Sequence, residues 1–457
     1  MSLRSGNATP NAEQTASSSP AAQRSHIGRI VVVSLVAGLT AALVLPFLPV
    51  TTVDVNFSTA MVLFGFALGW ALLAGLSTRF TDQPQRWAVA PALFMAVAGA
   101  FTLVASDSVV DASGWVWTPA LLVMVVWVWL RAKREMHSRA RVWLVNPVLV
   151  ILTLLALGGV YERVSQSTAP AVAMRGQLVN VGPYRLHLEC TGSGGPTVIL
   201  EPGGGGSAAS MGLIAPAVAR DSRVCVYDRA GRGWSDFAAS PPDGAQIATD
   251  LHTLLHRAHV PGPYVLAGHS FGGLYVRTYA AKYAREVAGL VLIDSTAGHN
   301  TPVSAPKADS YSILKHATSL IATTSHVGLG WLLANSQFSA LPPKYRDDAR
   351  ATAATGKEMG GFLDEFGTAN RSEADAGTLR TLDAKPLIVL TATVDNSKGW
   401  MGVQDKMAEL STNSLHRVEP GATHDALVSD PVHTLAVTRA IHDVVASLRT
   451  GAPLRHS

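Results

Sequence analysis

The chain has 457 residues, of which 48% are hydrophobic and only 15% charged; that is too long for one ordinary domain and too apolar for a wholly soluble protein. The apolar excess lies almost entirely before residue 162, and the remainder has the composition of a globular α/β domain. The net charge is +4, and many of the basic residues flank hydrophobic segments, where they orient a membrane protein, which argues against a nucleic-acid partner.

Residues Met1–His26 are Ser, Ala, Asn, Gln and Pro without apolar period, which predicts a disordered tail. Ile30–Val50 then runs uncharged for about 21 residues, enough to cross a hydrocarbon core. It is long for a signal-peptide core and lacks a clear cleavage site, so an uncleaved helix is expected. Further spans at Ser58–Ser77, Trp87–Ala105, Trp115–Leu130 (extendable back to Ala112) and Trp143–Tyr161 make five. Trp87, Trp115, Trp117, Trp127, Trp129, Trp143 and Tyr161 lie near span ends, as an interfacial aromatic belt requires. Gly65 and Gly69 form a GxxxG that either lets helices approach closely or has no special partner.

Basic residues set the orientation. Arg4, Arg24 and Arg29 precede the first span, Arg79 and Arg86 separate the second from the third, and Arg131, Lys133, Arg134, Arg139 and Arg141 separate the fourth from the fifth. The other two loops hold Asp54, Asp107 and Asp111 but no Lys or Arg. Basic loops stay cytoplasmic, so the N-terminus is inside, and five spans place everything after Tyr161 outside. No span holds an ionisable cluster of the kind that marks a transport path; the bundle reads as an anchor in a cell membrane.

A linker at Glu162–Ala173 (the boundary to residue 174) leads to short strands alternating with helices over 175–450, the pattern of a sheet covered on both faces. Gln177–Val181 and Tyr184–Cys190 form a hairpin about Gly182-Pro183. Thr197–Leu200 is a buried strand that ends in Glu201-Pro202-Gly203-Gly204-Gly205-Gly206. No Lys-Ser/Thr follows the glycines, which argues against a phosphate cradle. Arg223–Tyr227 is a strand that runs into Asp228-Arg229-Ala230-Gly231-Arg232-Gly233-Trp234-Ser235-Asp236, and Gln246–His259 is an amphipathic helix. Tyr264–Ala267 leads into Gly268-His269-Ser270-Phe271-Gly272, then a helical pattern to Glu286. Strand, Gly-x-Ser-x-Gly and helix together make a nucleophile elbow, in which a sharp turn exposes a serine hydroxyl. Ala288–Ile293 ends at Asp294. The insertion at about 295–385, with helical patches Ser310–Ala322, Pro343–Thr355 and Lys357–Phe366, predicts a helical cap. Pro386–Ala392 and Ser414–Val418 resume the sheet; Asp395 follows the first, Gly421-Ala422-Thr423-His424 the second, and Asp430–Leu448 closes the chain as a helix.

Taken as a set and in order, the glycine run after the third strand, the YDRAGRGWSD segment, the GHSFGG elbow, an acid after a late strand and GATH resemble the α/β-hydrolase family over residues 175–450. The resemblance departs from many members at Pro202-Gly203, where they carry His-Gly. It implies an α/β-hydrolase fold with a mostly parallel sheet and helical cap, and a triad in the order Ser, acid, His. Ser270 is then the nucleophile and His424 the base. The acid is Asp395, which matches the family's G-x-x-D as A-x-x-D, or alternatively Asp294 at the preceding strand end. The N–H groups of Phe271 and Gly204 are the candidate oxyanion donors, and Arg229 and Asp236 read as structural.

No metal-ligand spacing or dinucleotide fingerprint is present, so no metal or cofactor is expected. These features imply a serine hydrolase acting on carboxylic esters or related acyl compounds, with a small-molecule or lipid-like substrate; Trp331-Leu332-Leu333 in the cap is apolar enough for an acyl pocket. An aminopeptidase or lipase of the same fold is an alternative, and a catalytically silent binding module is an alternative of another class. In the family's sheet the second and fourth strands are neighbours, so Cys190 and Cys225 fall side by side, either bridged or as buried thiols.

Overall fold

The computed structural model describes residues 27–48, 55–136, 139–168, 172–238, 240–298, 316, 319–320, 323–327, 338–353, 356–394 and 396–455. The expected tail at Met1–His26, the cap triplet Trp331-Leu332-Leu333, most of the patch Ser310–Ala322, and Asp395 lie outside the described residues.

Five N-terminal helices are long and apolar enough to cross a membrane: Ile27–Phe47, Val55–Phe80, Arg86–Val104, Ala112–Glu135 and Leu144–Val164. They belong to α1 (Ile27–Val44), α2 (Val55–Phe80), α3 (Val89–Val104), α4 (Asp107–Glu135) and α5 (Arg139–Thr168). Trp70, Leu73, Trp87, Val128 and Val145 are buried between them. The GxxxG of α2 is used: a Cβ on Gly65 would lie 2.1 Å from the Ala42 backbone nitrogen, and one on Gly69 3.0 Å from the Gly38 Cα. Bare backbone on both helices lets α1 and α2 cross this closely. The helix α5 runs on to Thr168, past the expected end at Tyr161 and into the linker.

The second part is an eight-stranded sheet in the order β1-β2-β4-β3-β5-β6-β7-β8. Its strands are β1 (Gln177–Asn180), β2 (Arg185–Thr191), β3 (Thr197–Glu201), β4 (Val224–Tyr227), β5 (Tyr264–His269), β6 (Val287–Ile293), β7 (Leu387–Ala392) and β8 (Ser414–Glu419). From β4 to β8 the pairings are parallel, and β1 and β2 run antiparallel at one edge. The central strands β3 to β7 are near-continuous apolar runs because helices cover both faces. One face packs under α7 (Gly244–Arg257) and α8 (Gly272–Lys282), the other under α14 (Thr434–Thr450) and the one-turn α6 (Ala215–Val218). Cys190 lies directly opposite Cys225 on β2 and β4, and the two are joined as a disulfide.

Within the insertion, α9 (Pro343–Ala353), α10 (Gly356–Gly367) and α11 (Ala369–Ala376) form a helical cap. A short turn, Thr323–Val327, packs on α5, where a Cβ on Gly158 would lie 2.3 Å from the Val327 carbonyl oxygen. Nearby, Ser319 and Ser58 share a 2.7 Å hydroxyl hydrogen bond and His316 Nδ1 reaches the Pro46 carbonyl, so the cap also touches α2 and the end of the first span. Beyond the elements expected from sequence, α12 (Trp400–Ala408) follows β7 and α13 (Ala426–Ser429) follows β8.

Candidate active site

Parallel strands end on one edge of the sheet, so their C-terminal loops converge there. At the end of β5, Ser270 has φ +53°, the strained conformation of an elbow. Its neighbours must be glycine: a Cβ on Gly268 would lie 2.5 Å from the Gly272 carbonyl oxygen, and one on Gly272 2.4 Å from the Glu201 carbonyl oxygen. The backbone N–H of Ser270 is tied to Ile293 of β6 (3.1 Å), while Phe271 immediately precedes α8. N–H groups at a helix start have no preceding turn to bond, so they face outward with the positive end of the helix dipole.

Across from the elbow runs the glycine turn after β3. A Cβ on Gly203 would sit 3.2 Å from Ser270 Cβ, and one on Gly204 3.0 Å from the Phe271 ring. The structure thus brings Gly204 and Phe271, the two candidate donors, against each other beside Ser270. The turn is clamped from below by Arg229, which is 2% exposed. Its guanidinium donates to Glu201 Oε1 (2.6 Å), the Pro202 carbonyl (2.9 Å) and the Gly203 carbonyl (2.8 Å). From the cap, Glu365 closes the clamp: Oε1 accepts from Arg229 Nε (2.7 Å) and Oε2 from the Gly205 N–H (2.8 Å). The structural reading of Arg229 therefore stands, and what it supports is the turn beside the nucleophile. Asp236 pairs with Arg185 on an exposed edge (2.8 Å).

His424 stands on the turn after β8. Its Nδ1 hydrogen bonds Asp294 Oδ2 at 2.6 Å, while the side chain remains 39% exposed. Asp294, at the end of β6 with φ +42°, is 1% exposed. Its Oδ1 accepts from Trp400 Nε1 (2.7 Å) and more weakly from the Ala392 N–H (3.4 Å). Burial alone would raise its pKa, but the hydrogen bonds from His424 and Trp400 and the attraction of the imidazolium prevail and hold it below the usual carboxylate value. Of the two candidate acids, Asp294 is the one bonded to His424; Asp395 is outside the described residues.

His269 is buried behind Ser270, with Nε2 3.1 Å from the His424 carbonyl oxygen. Its acceptor is a carbonyl, so Nε2 carries the proton. Burial, with the like charge of His424, depresses its pKa to about 3, and the ring stays neutral. His416 is engaged by Thr391 (2.8 Å) and Asp405 (2.6 Å), and His433 by Glu419 (2.9 Å), which leaves neither for Ser270. Sequence reasoning missed Trp400 and Glu365. Neither lies in a motif, and each reaches the site from an element far away in the chain.

The arrangement sets Ser270 on a strained elbow, His424 on the buried Asp294, and the Gly204 backbone against the Phe271 side chain. The family model for the alpha/beta hydrolase fold matches residues 196–431. The chain belongs to the α/β-hydrolase family. This hydrolase is 30% identical over 211 residues to an uncharacterized protein of Schizosaccharomyces pombe, a match covering 40% of the chain and 37% of that relative. It is 32% identical over 123 residues to protein phosphatase methylesterase 1 of Mus musculus, covering 26% and 32%. Its structure is similar to that of a thermophilic esterase from Thermogutta terrifontis, with TM-score 0.45 and 22% identity over 60% of the chain and 99% of the esterase. The chain thus spans about a third of the length of these curated relatives.

Proposed function

We propose that this α/β hydrolase is a membrane-anchored serine esterase. The observation that carries the reading is the 2.6 Å bond from Asp294 to His424 Nδ1, with His424 packed against the elbow that bears Ser270. In this mechanism His424 Nε2 takes the Ser270 proton as Oγ bonds to the substrate carbonyl carbon. The carbonyl oxygen becomes an oxyanion and accepts from the Phe271 and Gly204 N–H groups. Collapse of the tetrahedral species breaks the ester C–O bond, and His424 returns its proton to the departing alkoxide. Water, deprotonated by the same imidazole, then releases the acid from the acyl-serine.

The substrate class is argued from the surroundings of the donors. The rings of Phe271, Phe366 and Phe362 pack in series, tilted, with centroids 4.9 and 4.5 Å apart, and Phe366 and Phe237 remain 40% and 43% exposed. An apolar acyl chain fits such a surface, and the contact of the cap with the bundle favours a lipid-like ester. The basic loops between spans support an N-terminus in the cytoplasm and a catalytic domain outside it, in a cell membrane.

Labelling of the detergent-solubilised protein with a fluorophosphonate, and then a panel of p-nitrophenyl esters of increasing chain length, tests the proposal. The parent should label and prefer medium or long acyl chains, and Ser270→Ala should do neither while keeping its fold. Equal labelling of the alanine variant would sink the assignment, and a folded parent that never labels would point to a silent binding module.

A further inference from the structure

At the edge of the sheet opposite the nucleophile, three side chains with metal-ligating atoms meet. His252 and His256 stand at i and i+4 on α7, one turn apart on the same face. Glu286 stands just before β6. His252 Nδ1 is 3.1 Å from Glu286 Oε2, His256 Nε2 is 2.9 Å from Glu286 Oε1, and the ligand atoms of all three lie within 4.8 Å of one another. Two ligands sharing one tetrahedral zinc, each at about 2.0–2.1 Å, are about 3.3 Å apart; the observed spacing needs only small side-chain rotations to admit an ion.

We propose that His252, His256 and Glu286 bind one zinc-class divalent cation, with solvent in the fourth position. The imidazoles and the carboxylate are the donor set that zinc takes in preference to magnesium or calcium, which demand oxygen. Supporting groups hold the ligands in place, as metal sites require. The Tyr279 hydroxyl donates to Glu286 Oε2, and the His252 ring is stacked on Tyr283 with centroids 4.0 Å apart and planes 2° off parallel.

The ion ties the last turn of α7 to the connection between α8 and β6. It lies away from the reaction: Glu286 precedes β6 and Asp294 follows it, a strand of about 20 Å between them. Its role is to fix the helix layer to the sheet, and loss of the metal should leave the catalytic groups in place.

The test uses untagged full-length protein in detergent, stripped with a chelator and titrated with ZnCl₂ against a colorimetric zinc indicator, with thermal unfolding read in parallel. One zinc per chain should bind, raising the apparent Tm, as any ligand of the folded state alone must. His256→Ala and Glu286→Gln should each weaken binding by at least about 100-fold, since even outer partners of a ligand carry 10–100-fold, and should abolish the Tm shift. Both variants should turn over an ester substrate as the parent does. His256 is exposed and Gln preserves the size of Glu286, so folding checked by circular dichroism should survive in both. The proposal is overturned by a parent that takes up no zinc, or by variants that bind zinc and gain Tm as the parent does.

Discussion

Substituting Asp294 by Asn tests the proposed acid most sharply, because the structure fixes which way the new amide must turn. Oδ1 of Asp294 accepts from Trp400 Nε1 at 2.7 Å and from the Ala392 N–H at 3.4 Å, and Oδ2 faces His424 Nδ1 at 2.6 Å. Asparagine has one oxygen, and the two N–H donors on the Trp400 side claim it. Its NH₂ group then points at His424 and donates to Nδ1, which moves the imidazole proton to Nε2. An Nε2–H imidazole has no lone pair to take the Ser270 proton. The same wrong tautomer costs about 10⁴ in kcat in another Ser-His-Asp enzyme, or about 5.4 kcal/mol of barrier. Initial ester hydrolysis rates, with the parent and variant matched by circular dichroism, read the effect directly. Trp400→Phe removes one of the donors that hold the amide, so the double variant Trp400→Phe/Asp294→Asn should recover up to about tenfold over Asp294→Asn alone, the upper end for one neutral hydrogen bond. A loss under tenfold in Asp294→Asn would refute the assignment and return the role to Asp395.

Two further predictions concern the frame of the site. Glu365→Ala should cost about 3 kcal/mol in urea unfolding of the solubilised protein, the low end for breaking a buried pair because Arg229 keeps Glu201; it should also lower kcat, and an unchanged midpoint would show that the clamp contributes nothing. The disulfide closes a separation of 35 residues, which in the chain-entropy treatment stabilises by about 4 kcal/mol. Dithiothreitol, to which the exposed Cys190 is open, should lower the unfolding midpoint of the parent and leave Cys190→Ala/Cys225→Ala unaffected. Peptides with free thiols from protein taken out of its native membrane would count against the extracytoplasmic topology.

How legible each feature is in the sequence depends on the distance over which it is encoded. Membrane helices depend on unbroken apolar length, and the elbow on five adjacent residues, so both were legible. The cysteine pairing was legible only through a strand order supplied by the family resemblance, because nothing local brings β2 beside β4. Spacing favoured Asp395 as the acid, whereas the bond to His424 comes from Asp294, 130 residues away. The pairing arises because β6, β7 and β8 are parallel neighbours, so the loops at their C-terminal ends share one edge. That adjacency exists only in the folded sheet. Trp400 was invisible for the same reason, and Glu365 because a cap helix carries no signal of which face it turns to the site.

The cap also bears on how the five N-terminal helices and the candidate site relate. The turn Thr323–Val327 packs on α5 of the bundle and touches α10. That helix carries Glu365, which holds the Gly205 N–H and Arg229, and Phe366, which packs on the Phe271 ring beside Ser270. These contacts form a continuous path from α5 to the glycine turn. Arg229 and Glu365 further fix that turn by charge-assisted bonds to carbonyls and an N–H on its two sides. On the proposed reading, the oxyanion donors of this esterase are therefore referenced to the membrane helices as well as to the sheet. An isolated domain lacking residues 27–168 would keep its sheet, its elbow and the Asp294–His424 pair while losing the support beneath its cap, and its deficit should appear in turnover rather than in fluorophosphonate labelling of Ser270, which requires the nucleophile and base but little of the cap.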